Sequence, residues 1–151
     1  MSVTHDYEIS LSWLSERKGI MGSPELKSSI EVATPPEFPK GMAGIWSPEH
    51  LFVAAVSSCL MTTFLAVAEN SKLNFQSFSC NASGKLEMVD GKYMITEVTL
   101  LPIVTLTDDH EKEKAEKVLQ KSEANCLISN SVKSKIIFQP EVRVLDAVMV
   151  K

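Results

Sequence analysis

The sequence predicts an α+β fold with elements in the order β-β-β-α-β-β-α-β. Three observations carry this expectation. Several separate segments alternate apolar and polar residues, one long uncharged run opens on a helix-starting triplet, and a two-residue hairpin turn joins two of the alternating segments. A doubly wound parallel sheet would instead alternate strand with helix throughout.

The first strand is expected over Val3 to Trp13. Val3, His5, Tyr7, Ile9, Leu11 and Trp13 share one face, and Thr4, Asp6, Glu8, Ser10 and Ser12 share the other, as in a half-buried strand. Ser15-Glu16 and Arg17-Lys18-Gly19 read as a turn into a second short strand running to Gly22, which Pro24 ends. Ser28 to Ala33 offers a third strand. From Thr34 to Trp46, Pro35, Pro36, Pro39, Gly41 and Gly44 prevent any regular element from persisting. Ser47-Pro48-Glu49 then starts a helix, because serine caps, proline suits the first helical position and glutamate complements the positive end of the dipole.

That helix continues to about Asn70, and its stretch Leu51 to Ala68 carries no charge. Ser57, Ser58, Thr62 and Thr63 interrupt the run, and Glu49 and Glu69 bracket it, so it reads as a helix buried on most sides inside a soluble protein, not a membrane span. Alternation resumes with Phe78, Cys80, Ala82, Gly84, Leu86 and Met88 against Ser79, Asn81, Ser83, Lys85 and Glu87. Asp90-Gly91 supplies a hairpin turn of the positive-φ type, and the return strand runs from Tyr93 toward Thr105. A polar helix begins near Asp108 or Asp109, with Glu113 and Lys117 four apart and Ala115, Val118, Leu119 and Ser122 facing inward. A final strand spans Lys135 to Leu145, where Pro140 marks an edge or a bulge.

At 151 residues the chain is one domain, 1–151. It comprises a three-strand lobe with the central helix (about 1–70) and a β-β-α-β part (about 75–146). Lys+Arg number 15 and Asp+Glu 19, for a net charge of −4, which argues against nucleic acid or an anionic membrane as partner. The N-terminus lacks the basic flank and apolar run of a secretion signal, and three cysteines are too few for a disulfide-stapled scaffold. A cytoplasmic chain with reduced thiols is expected.

No glycine-rich phosphate loop, G-x-S-x-G elbow, H-E-x-x-H or C-x-x-C occurs. His5, His50 and His110 sit on different elements without ligand spacing, so neither a metal nor a cofactor is expected. Thiol chemistry remains. Cys59 lies inside the apolar helix, where it reads as a small core hydrophobe unless a fixed positive charge lowers its pKa. Cys126 falls where the second helix ends, as either a partly buried helix-end residue or a thiol placed to move. Cys80 alternates with Phe78 and Ala82 as a strand core position.

The segment from Trp46-Ser47-Pro48-Glu49-His50-Leu51-Phe52 through Val56-Ser57-Ser58-Cys59, followed by Cys126-Leu127-Ile128-Ser129-Asn130, resembles the osmotically inducible protein C / organic hydroperoxide resistance family. The likeness is to its generic, OsmC-like branch and covers essentially the whole chain. It implies an intertwined α+β homodimer with active sites at the interface, acting as a thiol peroxidase on organic hydroperoxides and less well on hydrogen peroxide. By position, Cys59 corresponds to the peroxidatic cysteine, Cys126 to the resolving cysteine and Glu49 to the active-site glutamate. Arg17 is the best match to the arginine that contacts the reactive sulfur. Many members carry proline after the second cysteine, where this chain has Leu127.

The implied cycle takes a Cys59 thiolate to a sulfenic acid, then to a Cys59–Cys126 disulfide, which an external dithiol of lipoyl type reduces. Arg17 would stabilise the thiolate, and Glu49 would orient the guanidinium. On a straight helix Glu49 and Cys59 stand about 15 Å apart and are rotated by roughly 80°, so a shared arginine calls for a bend near the helix start. The alternative function is a slow-turnover redox-sensing or thiol-stress binding protein of the same fold.

Overall fold

A computed structural model describes residues 3–145. The chain divides into two compact units, Met1–Leu51 and Phe52–Lys151, the division falling within the long helix. The last residue of the expected C-terminal part, Asp146, lies outside the described residues.

The first unit is built on a three-stranded antiparallel sheet in the order β1 (Ser10–Ser15), β2 (Lys18–Ser23), β3 (Leu26–Ala33). Glu16 and Arg17 form the first turn, with Glu16 at φ 50°, so Lys18 and Gly19 belong to β2 and not to the turn. Pro24 and Glu25 form the second turn, and β3 starts two residues earlier than the sequence suggested. Beyond β3, Trp46 pairs in parallel with Val32, and its carbonyl accepts the Ala33 N–H at 2.8 Å.

The expectation for β1 needs correction. Val3 to Ile9 lie outside any strand, and β1 is exposed along its length, with Leu11 65% and Trp13 77% exposed. Alternation marks a face fit for burial, but burial needs an opposing surface, and this chain does not bring one to that face.

The long helix α1 (Pro48–Asn70) starts as its opening triplet dictates. Ser47 is fully buried, and its Oγ accepts the His50 N–H at 3.1 Å, while Pro48 occupies the first helical position. At the other end Lys72 adopts a left-handed φ of 55°, and the Leu73 N–H reaches back to the Ala68 carbonyl at 2.9 Å. The helix is not buried on most sides. Its buried residues are Val56, Leu60, Phe64 and Ala68, a single stripe at every fourth position, while Met61 and Leu65 remain 40% and 44% exposed. A helix apolar all round needs cover all round, and the strands of one chain cover one stripe. By length and composition α1 is apolar enough to cross a membrane, but its buried stripe packs into the protein core.

In the second unit β4 (Ser77–Val89) and β5 (Lys92–Leu106) form a long hairpin across Asp90-Gly91, whose φ values of 49° and 79° fit the expected turn. Gly84 on β4 admits the helix: a Cβ there would stand 2.6 Å from Val53 Cγ2. The last strand becomes two, β6 (Lys135–Phe138) and β7 (Glu141–Val144), both parallel to β5. Pro140 separates them. Opposite the gap lies Pro102 of β5, whose missing N–H falls where β6 has ended and β7 has not begun. The helix α2 (Lys112–Ala124) follows a 3₁₀ turn at Asp109–Glu111 and buries Ala115, Val118, Leu119 and Ser122, as the periodicity indicated. Glu113 and Lys117 pair at 3.3 Å on its outer face.

Two clusters form the core of this unit. Phe64, Ala68, Val104, Leu106, Ala115 and Leu119 make one, and Val56, Leu60, Val98 and Leu100 make the other. Phe64 stacks on Phe78 at 4.7 Å and meets Phe75 edge-on at 5.1 Å.

Candidate active site

Cys59 sits on α1 in the turn from Val56 to Leu60, whose two end residues point into the core. Cys59 is therefore carried to the margin of that core, half-buried, with Thr63 one turn further on and its Oγ1 3.9 Å from the sulfur.

Cys126 arrives from the far end of α2. The Asn125 N–H and side-chain amide both donate to the Lys121 carbonyl, at 3.1 and 2.8 Å, which closes the helix. The backbone then makes one more turn, with the Asn130 N–H on the Cys126 carbonyl at 3.0 Å, into a 3₁₀ turn at Ser129–Ser131. Ile128 anchors this turn by packing against the Val56–Leu60 cluster, while Leu127 is 65% exposed. Cys126 itself is 1% exposed, and its thiol points at the Val56 carbonyl oxygen at 4.0 Å. This brings the Cys59 and Cys126 sulfurs within hydrogen-bonding reach of each other, both as free thiols.

The two thiols differ in acidity. Burial pushes Cys59 up, but donors outweigh it: the Ile128 N–H, the Cys126 thiol, the Thr63 hydroxyl and the Leu127 N–H together hold its pKa below the ordinary thiol value. Burial pushes Cys126 up, the Ser129 hydroxyl and N–H pull it back, and the neighbouring Cys59 sulfur pushes it up again, so that it ends above the ordinary value. Of the two, Cys59 is the first to lose its proton as pH rises. Cys80 on β4 is raised by burial, only partly offset by the Leu101 N–H, and its thiol lies 3.6 Å from the Asn81 carbonyl oxygen.

The other two candidates belong to the first unit. Arg17 is exposed in the β1–β2 turn, on the wall of a cavity of about 510 Å³ also lined by Trp13, Lys18, Thr34 and Pro48. Glu49 lies in the first turn of α1. Among the described residues neither forms an ion pair, with each other or with any other group; of the nearby cations, Lys18 is taken by Glu31 at 3.2 Å. The helix runs unbroken from Pro48 to Asn70, so its rise alone separates Glu49 from Cys59 by about 15 Å.

Sequence reading missed the donors around Cys59. Thr63 stands four residues on, a spacing that was visible in the sequence. The amides of Leu127 and Ile128 left no trace there, because a backbone N–H is common to every residue but proline. Among the described residues no group of three or more His, Cys, Asp or Glu side chains is arranged to hold a metal.

Comparison with known proteins places this geometry in a wider set. The profile of the OsmC-like protein family matches residues 41–141. The uncharacterized protein YmaD of Bacillus subtilis is 24% identical over 148 residues, covering 93% of this chain and 95% of its own. An OsmC-like protein of unknown function from Vibrio cholerae superposes with a TM-score of 0.80 at 25% identity, over 91% of this chain and 99% of that one. The organic hydroperoxide resistance protein OhrB of Bacillus subtilis shares the fold, with a TM-score of 0.67 at 20% identity over 92% and 98% of the two chains.

Proposed function

The chain belongs to the OsmC-like protein family, and from that membership and the paired thiols we propose that it is a cysteine-based peroxidase that reduces organic hydroperoxides. The observation that carries the reading is the apposition of Cys59 and Cys126 with opposite shifts in acidity. Similar folds named as organic hydroperoxide resistance proteins, from Legionella pneumophila and Bacillus subtilis, support the substrate class.

The chemistry follows from the two sulfurs. A thiol is a poor nucleophile, so the donors that lower the Cys59 pKa raise the share of the protein that carries the reactive thiolate. This thiolate attacks the terminal peroxide oxygen, the O–O bond breaks, and the alkoxide leaves and takes a proton to become the alcohol. Cys59 is now a sulfenic acid. Cys126 gives up its proton as its sulfur attacks the Cys59 sulfur and forms the disulfide, and that proton leaves with the hydroxide as water. An external dithiol of lipoyl type then returns both cysteines to thiols.

Arg17 and Glu49 keep the roles that the family assigns by position: the guanidinium orients the peroxide and stabilises the thiolate, and the carboxylate orients the guanidinium. A homodimer belongs to the same reading, since the apolar faces at Leu11 and Trp13 on β1, and at Met61 and Leu65 on α1, suit a second copy of the chain. So does a reducing, cytoplasmic setting.

The test is peroxide turnover. Purified protein should consume cumene hydroperoxide in the presence of dihydrolipoamide, and Cys59→Ser should abolish this. Wild-type protein that forms the disulfide once and does not turn over with any of several dithiols would overturn the catalytic reading and leave a redox sensor.

A further inference from the structure

Resting on that peroxidase reading, we propose that the external dithiol attacks the Cys59 sulfur of the Cys59–Cys126 disulfide and expels Cys126, so that the mixed disulfide of each cycle sits on Cys59.

Thiol–disulfide exchange proceeds in line. The incoming sulfur approaches the attacked sulfur from the side opposite the bond that breaks, so the site of attack is set by which sulfur is open from its far side. Cys126 offers no such approach. It is 1% exposed, it lies against the Val56 carbonyl of α1, and the turn that follows it is held down by Ile128 in the Val56–Leu60 cluster. Cys59 sits at the margin of that cluster, half-buried, beside the polar Thr63.

Acidity alone would choose the other way. The thiol with the lower pKa leaves faster, which favours attack on Cys126 and departure of Cys59. Acidity enters these reactions only fractionally, with coefficients of about 0.4–0.5 for the attacking thiol, so a tenfold difference in acidity changes a rate by about threefold. Exclusion of the reagent from Cys126 removes the path unless the turn opens. Access wins. The site also accommodates Cys126 as the departing group, since the N–H of Ser129 favours the charged form of its sulfur.

The steps balance. One thiolate of the dithiol bonds to the Cys59 sulfur as the Cys59–Cys126 bond breaks, and the electron pair of that bond passes to Cys126. Cys126 takes the proton of the second thiol. The resulting thiolate attacks the dithiol's own bound sulfur, closes a cyclic disulfide and releases Cys59 as a thiolate. The dithiol is oxidised by two electrons and the protein disulfide is reduced by two.

The experiment uses full-length protein carrying Cys80→Ser, which removes the third thiol. After treatment with cumene hydroperoxide, peptide mapping first establishes the Cys59–Cys126 disulfide; failure to form it would count against the peroxidase reading itself. The disulfide form is then mixed with 2-mercaptoethanol, quenched in acid within milliseconds and alkylated after unfolding. We expect mercaptoethanol on Cys59 and the alkyl group on Cys126, at least tenfold over the reverse pattern. Mercaptoethanol on Cys126 would overturn the proposal and leave the peroxidase reading intact. The reaction of each thiol with an added disulfide supplies a reading that needs no trapped species, since it reports how open each sulfur is to a reagent. With 5,5′-dithiobis(2-nitrobenzoate), and with rates compared per thiolate after each variant's pH profile has been measured, the folded Cys126→Ser/Cys80→Ser variant should react at least tenfold faster than Cys59→Ser/Cys80→Ser. A smaller ratio would overturn the proposal.

Discussion

The Cys126 thiol points at the Val56 carbonyl, 4.0 Å away and seventy residues apart in the chain. Val56 lies one helical turn before Cys59, so this contact sets the end of α2 against the turn of α1 that carries Cys59. The two cysteines are thereby neighbours in the folded chain.

Cys126→Ser should therefore leave Cys59 oxidisable and without a resolving partner. A single equivalent of peroxide should give a sulfenate that dimedone traps, detected as one dimedone mass on the Cys59 peptide. A wild-type-like loss of trapping, with a Cys59–Cys80 bond in its place, would transfer the resolving role to Cys80.

Alkylation by iodoacetamide should follow the opposite shifts of the two thiols. Cys59 should react with a midpoint below that of Cys126, the first lowered and the second raised from the ordinary thiol value. The linkage to stability has a definite sign. The lowered Cys59 pKa contributes stability that is present above the unfolded thiol value and lost as pH falls through the folded one. The raised Cys126 pKa contributes stability that is present below the unfolded value and lost as pH rises through the folded one. Mass-resolved alkylation against pH checks the ordering, and a reversed order would exchange the two roles.

Arg17→Met should change folding stability by less than about 0.5 kcal/mol, since Arg17 is an exposed turn residue without an ion pair among the described residues. It should also raise the Cys59 alkylation midpoint and slow peroxide attack, a tenfold loss of thiol acidity corresponding to about 1.4 kcal/mol. Arg17→Lys should rescue poorly, because an ammonium lacks the planar fork. An unchanged alkylation profile with normal activity would remove Arg17 from the site.

Phe64→Ala should cost about 3–5 kcal/mol, because Phe64 is fully buried, stacks on Phe78 and meets Phe75 edge-on. Urea titration followed by circular dichroism would measure it. A loss below about 1 kcal/mol would mean that the core around α1 closes over the gap.

Sedimentation at micromolar concentration should find a dimer, and Leu65→Glu, which charges the exposed face of α1, should weaken it. A wild-type chain that sediments as a monomer would leave these apolar faces without the proposed occupant.

Features legible in the linear chain are local ones. The capping triplet Ser47-Pro48-Glu49, the Asp90-Gly91 turn and the inward residues of α2 each depend on neighbours within a turn or two, so their signals survive in the order of residues. The pairing of Cys59 with Cys126 was legible only through family resemblance, and Thr63 only as a spacing. Everything else came from tertiary contacts. The exposure of β1 and of one face of α1 depends on which surfaces oppose them, and periodicity does not carry that information. The split of the last strand into β6 and β7 depends on Pro140 lying across from Pro102 in a neighbouring strand. The low pKa of Cys59 draws on N–H groups of Leu127 and Ile128, brought to it by the packing of one side chain, Ile128, into a distant helix. Backbone donors carry no residue identity, so only the folded chain reveals which sulfur they serve.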